Sequence, residues 1–140
     1  MRQEIIDKLE LLEEYITILR ELQQYSFEEI KKDYLIRGAV ERYLQVSLEC
    51  MLDIGEIIIS MEKIKRPESY KEIFRTLGEN RILPEAFARK IEPAAGFRNV
   101  LVHMYAKLEM DRVYENLQNG VEDMELFIEY IARFLTEKKD

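Results

Sequence analysis

The chain has no tryptophan, one histidine, one cysteine, three prolines and five glycines among its 140 residues. Each scarcity excludes something. A lone cysteine, Cys50, cannot build an internal disulfide framework, and its place in an apolar pattern points to a buried thiol in a reducing compartment. With a single histidine, His103, neither the Glu-x-x-His pairs of a di-iron bundle nor the His/Cys set of a zinc centre is available, so no metal site is expected. The glycines are scattered, which leaves no phosphate-cradling loop, and no cofactor is expected. No uncharged run approaches the length of about 18 residues that a membrane span needs, and the start Met1-Arg2-Gln3-Glu4 is charged at once. The expectation is a cytoplasmic protein with neither signal peptide nor membrane span.

What is present is a folding chain. Apolar residues make up 47% and aromatics 10%, too much for disorder, and 140 residues suffice for one domain, 1–140, with a core of its own. The net charge of −7 argues against non-specific coating of nucleic acid, because phosphate binding rests on Lys and Arg. The charge is uneven: residues 63–112 carry eleven Lys and Arg against seven Asp and Glu, leaving −11 on the remainder. That balance fits a local basic surface and a solvated mixture of signs equally well.

The apolar pattern is helical throughout, with no segment alternating as a half-buried strand does. Ile5, Leu9, Leu12, Ile16 and Leu19 draw one stripe on a helix over residues 2–24, with Leu11, Tyr15, Ile18 and Leu22 beside it. Ser26 and Glu29 have capping-box spacing and open a short helix or turn. From Asp33 to Met61 runs the longest periodic segment, expected to be the central helix, with Gly38 and Gly55 marking close packing of another element. A helix from Glu68 to Gly78 should turn Tyr70, Ile73, Phe74 and Leu77 inward, with Gly78 as its C-terminal cap. Leu83-Pro84 marks the next boundary, and Pro93 should kink or restart the helix that follows. After a connection at 106–110, Asp111 should cap a last helix with Tyr114, Leu117, Val121, Met124, Ile128, Ile131 and Leu135 inward. The expectation is an all-α, up-and-down bundle of five or six helices.

One stretch departs from this economy: Phe97-Arg98-Asn99-Val100-Leu101-Val102-His103-Met104-Tyr105. At about 3.6 residues per turn, Phe97, Val100, Leu101 and Met104 share a core-facing stripe. Arg98 and Tyr105 fall on one flank of the back, and Asn99 and His103 on the other, with Val102 between them. A purely solvated back would favour Lys and Glu, so a second protein surface is expected there. Chemically, His103 can serve as general acid or base, Arg98 can bind a scissile phosphate, and Asn99 can orient the imidazole. One histidine does not readily perform both proton transfers of RNA cleavage, a shortage that a two-fold dimer would remove. Equally open from the residues alone is a structural role: His103 paired with Asn99, and Arg98 in a surface ion pair.

Arg98-x4-His103-x-Tyr105, inside Gly96-Phe97-Arg98-Asn99-x-Leu101-Val102-His103-x-Tyr105, resembles the signature of the HEPN superfamily, in its HepT-like (DUF86) branch. Arg37-Gly38-Ala39-Val40-Glu41-Arg42-Tyr43-Leu44-Gln45, with Leu52-Asp53-Ile54 after it, is similar to the long helix of that family, and the resemblance covers nearly the whole chain. It implies a homodimer with the two motifs facing each other, and a metal-independent endoribonuclease toxin of a type VII-like toxin–antitoxin module. It further implies Arg98 and His103 as catalytic, Asn99 as a supporting polar residue, and Tyr105 as the hydroxyl to which an MntA-like nucleotidyltransferase antitoxin adds AMP. RNA is the implied substrate. The competing expectations are a non-catalytic subunit associated with a nucleotidyltransferase, and a plain helical scaffold.

Overall fold

A computed structural model describes residues 1–102 and 109–138 of the chain, and among these it contains six α-helices, one 3-10 turn and no strand. Helix α1 (Arg2–Leu22) buries the expected stripe of Ile5, Leu9, Leu12, Ile16 and Leu19. Its second stripe is only half-covered, and Leu11 stands exposed. The capping box opens α2 (Phe27–Lys32): the Glu29 N–H donates to Ser26 Oγ at 3.1 Å, and the Ser26 N–H to Glu29 Oε1 at 2.8 Å. One residue later Asp33 Oδ1 accepts from the Leu35 N–H at 2.9 Å and starts α3 (Tyr34–Met61). Helix α3 touches α1, α2, α4, α5 and α6, so it is the central helix of an all-α bundle.

The segment after α3 differs from expectation. Pro67 favours extended backbone before it, and Ser69 is itself extended, so no helix begins at Glu68. A 3-10 turn (Tyr70–Glu72) leads into α4 (Ile73–Glu79). Ile73, Phe74 and Leu77 are buried as expected, whereas Tyr70, ahead of the α-helix proper, is turned outward and 39% exposed. Close packing also separates the glycines. A Cβ on Gly55 would stand 2.6 Å from Ile73 Cγ2, which explains how α4 can lie so near α3. Gly38 has nothing within 4 Å, so no element packs there. Gly78 is not the cap: it is buried within α4, where a Cβ would meet that of Ala88 at 2.5 Å, and the left-handed residue after the helix is Arg81.

Helix α5 (Glu85–Val102) runs through Pro93 without restarting. Proline withholds one N–H from the carbonyl of Arg89, but both residues face solvent, where water can satisfy that carbonyl. Phe97 and Leu101 are buried as the motif geometry requires, but Val100 is 38% exposed and leaves the core stripe. Helix α6 (Met110–Glu137) starts one residue before Asp111, which lies in its first turn, where its charge suits the helix dipole, rather than at the cap. Its buried face is Val113, Leu117, Val121, Met124, Phe127, Ile131 and Leu135, with Tyr114 and Ile128 half-buried beside it. The T-shaped pair of Phe74 and Phe127, centroids 5.9 Å apart, joins α4 to α6 at the centre of the core. Among the described residues no helix is long and apolar enough to cross a membrane.

Candidate active site

Arg98 lies one residue beyond the buried ring of Phe97, so its stem starts at the edge of the core and its head emerges between α3 and the 3-10 turn. Only 21% of the side chain is exposed. A guanidinium taken this far out of water needs partners, and it has three. Nη2 donates to Glu49 Oε2 at 3.1 Å, Nη1 donates to Asn99 Oδ1 at 3.1 Å, and the Tyr70 ring lies 5.2 Å from the guanidinium carbon. The last distance is within cation–π range. Arg98 Nε is buried and has no acceptor among the described residues. A guanidinium carries five N–H donors, so the two bonded here leave donors for an incoming oxyanion.

The acceptor is itself held. Glu49 Oε2 also accepts from Gln45 Nε2 at 3.2 Å, one helical turn earlier on α3. One turn later comes Asp53, 3.8 Å from Lys8 Nζ on α1. Burial pushes the Asp53 carboxyl above its ordinary value and the neighbouring Glu49 pushes the same way, against opposing pulls from Lys8 and Arg98. The result is a charged line from α1 over α3 to α5, in which two neighbouring carboxylates, Asp53 and Glu49, are flanked by Lys8 and Arg98. Among the described residues no three His, Cys, Asp or Glu side chains converge as a metal ion would require.

Two of the sequence-selected residues are thus joined in a way that helical angles alone did not show. Arg98 and Asn99 start on opposite flanks of α5, yet their side chains bend to a shared hydrogen bond. The ion pair considered for Arg98 exists, but it is half-buried and hydrogen-bonded rather than a solvated surface contact. His103 and Tyr105 lie outside the described residues. Glu49 and Tyr70 were missed. In the sequence Glu49 looks like many other glutamates; only the fold, which half-buries it between the buried Leu48 and Cys50, marks it as a residue with a partner. For Tyr70 the periodic pattern misled, because it ignored the turn that rotates the ring outward.

The family model described as "Ribonuclease HepT-like" matches residues 12–131. The tRNA nuclease HepT of Aphanizomenon flos-aquae is 29% identical over 130 residues, 91% of this chain and 87% of that protein. The mRNA nuclease HepT of Shewanella oneidensis is 27% identical over 131 residues, 94% of this chain and 98% of that protein. Among solved structures, the tri-AMPylated Shewanella oneidensis HEPN toxin in complex with its MNT antitoxin superposes with a TM-score of 0.86 at 26% identity, over 95% of this chain and 99% of that one. A toxin–antitoxin structure with AMP-PNP superposes at 0.84 and 26% identity, over 92% of this chain and 97% of that one.

Proposed function

Since the chain belongs to the HepT-like ribonuclease family, we propose that it is the endoribonuclease toxin of a toxin–antitoxin pair, with Arg98 and His103 as its catalytic residues. The observation that carries this reading is the state of Arg98: a half-buried guanidinium, oriented by Glu49 and Asn99, with N–H donors to spare. An arginine held only for stability has no need of unspent donors in a site of reduced dielectric. One held to receive a phosphate does.

Metal-independent RNA cleavage requires a proton to leave the attacking hydroxyl and another to reach the departing oxygen. Arg98 neutralises the charge gathering on the phosphate between those two events, and Asn99 keeps the guanidinium aimed. His103, five positions further along, moves the protons. Each chain has only one imidazole, so the working site is composed from two copies of the chain, each giving an Arg98 and a His103. The proposed toxin is accordingly a homodimer, one HepT-like domain over residues 1–140 in each subunit, acting on RNA in the cytoplasm.

Neutralisation follows from the same charge logic. An MntA-like nucleotidyltransferase partner transfers AMP from ATP to the Tyr105 hydroxyl, two residues beyond His103, with pyrophosphate leaving and the phenolic proton released. A phosphodiester there brings permanent negative charge and bulk to the place where substrate phosphate must bind, and competes for Arg98. The test is incubation of the purified protein with total RNA in EDTA, beside His103→Ala. Cleavage by the unaltered protein alone is expected; equal cleavage by both would overturn the assignment, and a monomer in sedimentation at micromolar concentration would overturn the composite site.

A further inference from the structure

Tyr70 stands out among the residues around Arg98 because its ring is far from spent. One face carries the guanidinium, yet 39% of the residue is still open to solvent. A tyrosine needed only as a lid on Arg98 gains nothing from that exposure. The ring also forms part of the wall of a groove of about 910 Å³ between the end of α3, the 62–69 connection and the start of α4. Lys63, Lys65 and Ser69 line the same groove. Lys63 is held in the left-handed backbone region, φ 58°, and its N–H bonds back to the Ser60 carbonyl at 3.1 Å, so the turn that presents it is built into the chain. Neither lysine is paired with a carboxylate among the described residues, whereas Arg66 is tied to Glu56 at 3.3 Å.

We propose that Tyr70 is a stacking platform for a nucleobase of single-stranded RNA next to the scissile phosphate, and that the strand continues from it along the groove past Lys63 and Lys65. This deepens the ribonuclease reading and rests on it, since it takes Arg98 as the phosphate-binding group. An aromatic ring in contact with that group is placed to receive the base of an adjoining nucleotide, and aromatic platforms beside cationic side chains are how proteins hold single strands without reading their sequence. Glu4 and Glu68 also line the groove, so it is no general trap for polyanions. Binding there must draw on the stacked base as well as on charge, which selects unpaired RNA over duplex.

The test separates binding from cleavage. Oligonucleotides carrying 2′-O-methyl groups lack the attacking hydroxyl, so their affinity is read by fluorescence anisotropy with no turnover, while unmodified RNA reports cleavage in parallel. Tyr70→Leu is expected to weaken single-strand binding about tenfold, and Tyr70→Phe less than twofold. A single abasic position that abolishes the difference between Tyr70→Leu and the unaltered protein identifies the stacked base. Replacing Lys63 and Lys65 together by serine should reduce the salt slope of binding by about 0.7 per lost phosphate contact. Single-strand affinity unchanged in Tyr70→Leu overturns the proposal, as does a loss that persists undiminished at every abasic position. No cleavage by the unaltered protein, with Tyr70-dependent binding present, would overturn the ribonuclease reading and leave the platform standing.

Discussion

Helices α5 and α6 are both amphipathic, yet they are amphipathic for different reasons. On α6 every buried position is apolar, spaced three or four apart from Val113 to Leu135, and the opposite face is charged. On α5 the buried residues Phe87, Ala88, Ile91, Ala95, Phe97 and Leu101 alternate with half-buried polar ones, Arg98 and Asn99, and with an exposed valine. A helix that serves only the core can give each residue one environment. A helix that also presents chemistry must hold charge at the edge of the core, and each such residue then needs its own partner from another element, as Arg98 has in Glu49 of α3.

One substitution on each helix separates the two roles. Phe127→Ala removes a fully buried ring and with it the edge-to-face contact to Phe74. It should cost about 3–5 kcal/mol in a urea melt, while the molecules that remain folded cleave RNA at the normal rate. Arg98→Ala should do the reverse, with cleavage falling about 10²–10³-fold and stability shifting far less than in Phe127→Ala. Glu49→Gln, which keeps the acceptor but removes its charge, should fall between unaltered protein and Arg98→Ala in cleavage rate. If Phe127→Ala abolished the activity of its folded fraction, the division between a structural and a chemical helix would not hold.

The same contrast explains what could be read from the sequence. The bounds of α1, α2 and α3 follow from apolar spacing and from Ser26 and Asp33, because these signals are local and the structure uses them locally. The errors occur where an answer depended on another element or on solvent. Pro93 stays inside a helix because its face of α5 is wet, a fact its neighbours in sequence do not reveal. Arg98 and Asn99 could be selected by residue type and spacing, but the partner of Arg98 is forty-nine residues away, among many glutamates that look alike. Periodicity treats every member of a stripe as equal, so it could not tell that Val100 leaves the core or that Tyr70 faces the arginine.

Gly38 and Gly55, both within α3, turn that blind spot into a smaller, two-sided prediction. Helix propensity favours alanine at either position by about 1 kcal/mol. At Gly38 no atom opposes the new methyl group, so Gly38→Ala should stabilise the fold by about that amount. At Gly55 the methyl would meet Ile73 Cγ2 at 2.6 Å and Leu77 Cδ1 at 3.3 Å, and a β-branched neighbour has little freedom to yield. Gly55→Ala should therefore destabilise by about 1–3 kcal/mol, the crowding outweighing the propensity gain. Urea denaturation of the two variants checks the sign of each, and a like sign in both would mean that α4 does not approach α3 as closely as Gly55 allows.

The thiol on the same central helix makes the stability of the fold depend on pH. Cys50 is buried against α1, its Sγ donating to the Lys8 carbonyl at 3.2 Å, and burial pushes its pKa from 9.0 up to about 11. Lys8 pulls it down and Asp53 pushes it up, but both are weaker than desolvation. The unfolded chain therefore releases the thiol proton first, and between pH 9 and about 11 it binds fewer protons than the folded chain. Stability contributed by the protonated thiol is whole below pH 9 and drains away as the pH climbs through that window. Cys50→Ala or Cys50→Ser should flatten the fall of stability in this range, whatever the cost of the substitution at neutral pH. A disulfide reagent at pH 8 should label the folded protein far more slowly than the denatured one, since a thiolate is the reacting species. Equal labelling rates would show that the contact between α1 and α3 opens readily, and that the charged line from Lys8 to Arg98 rests on a less rigid base than the geometry requires.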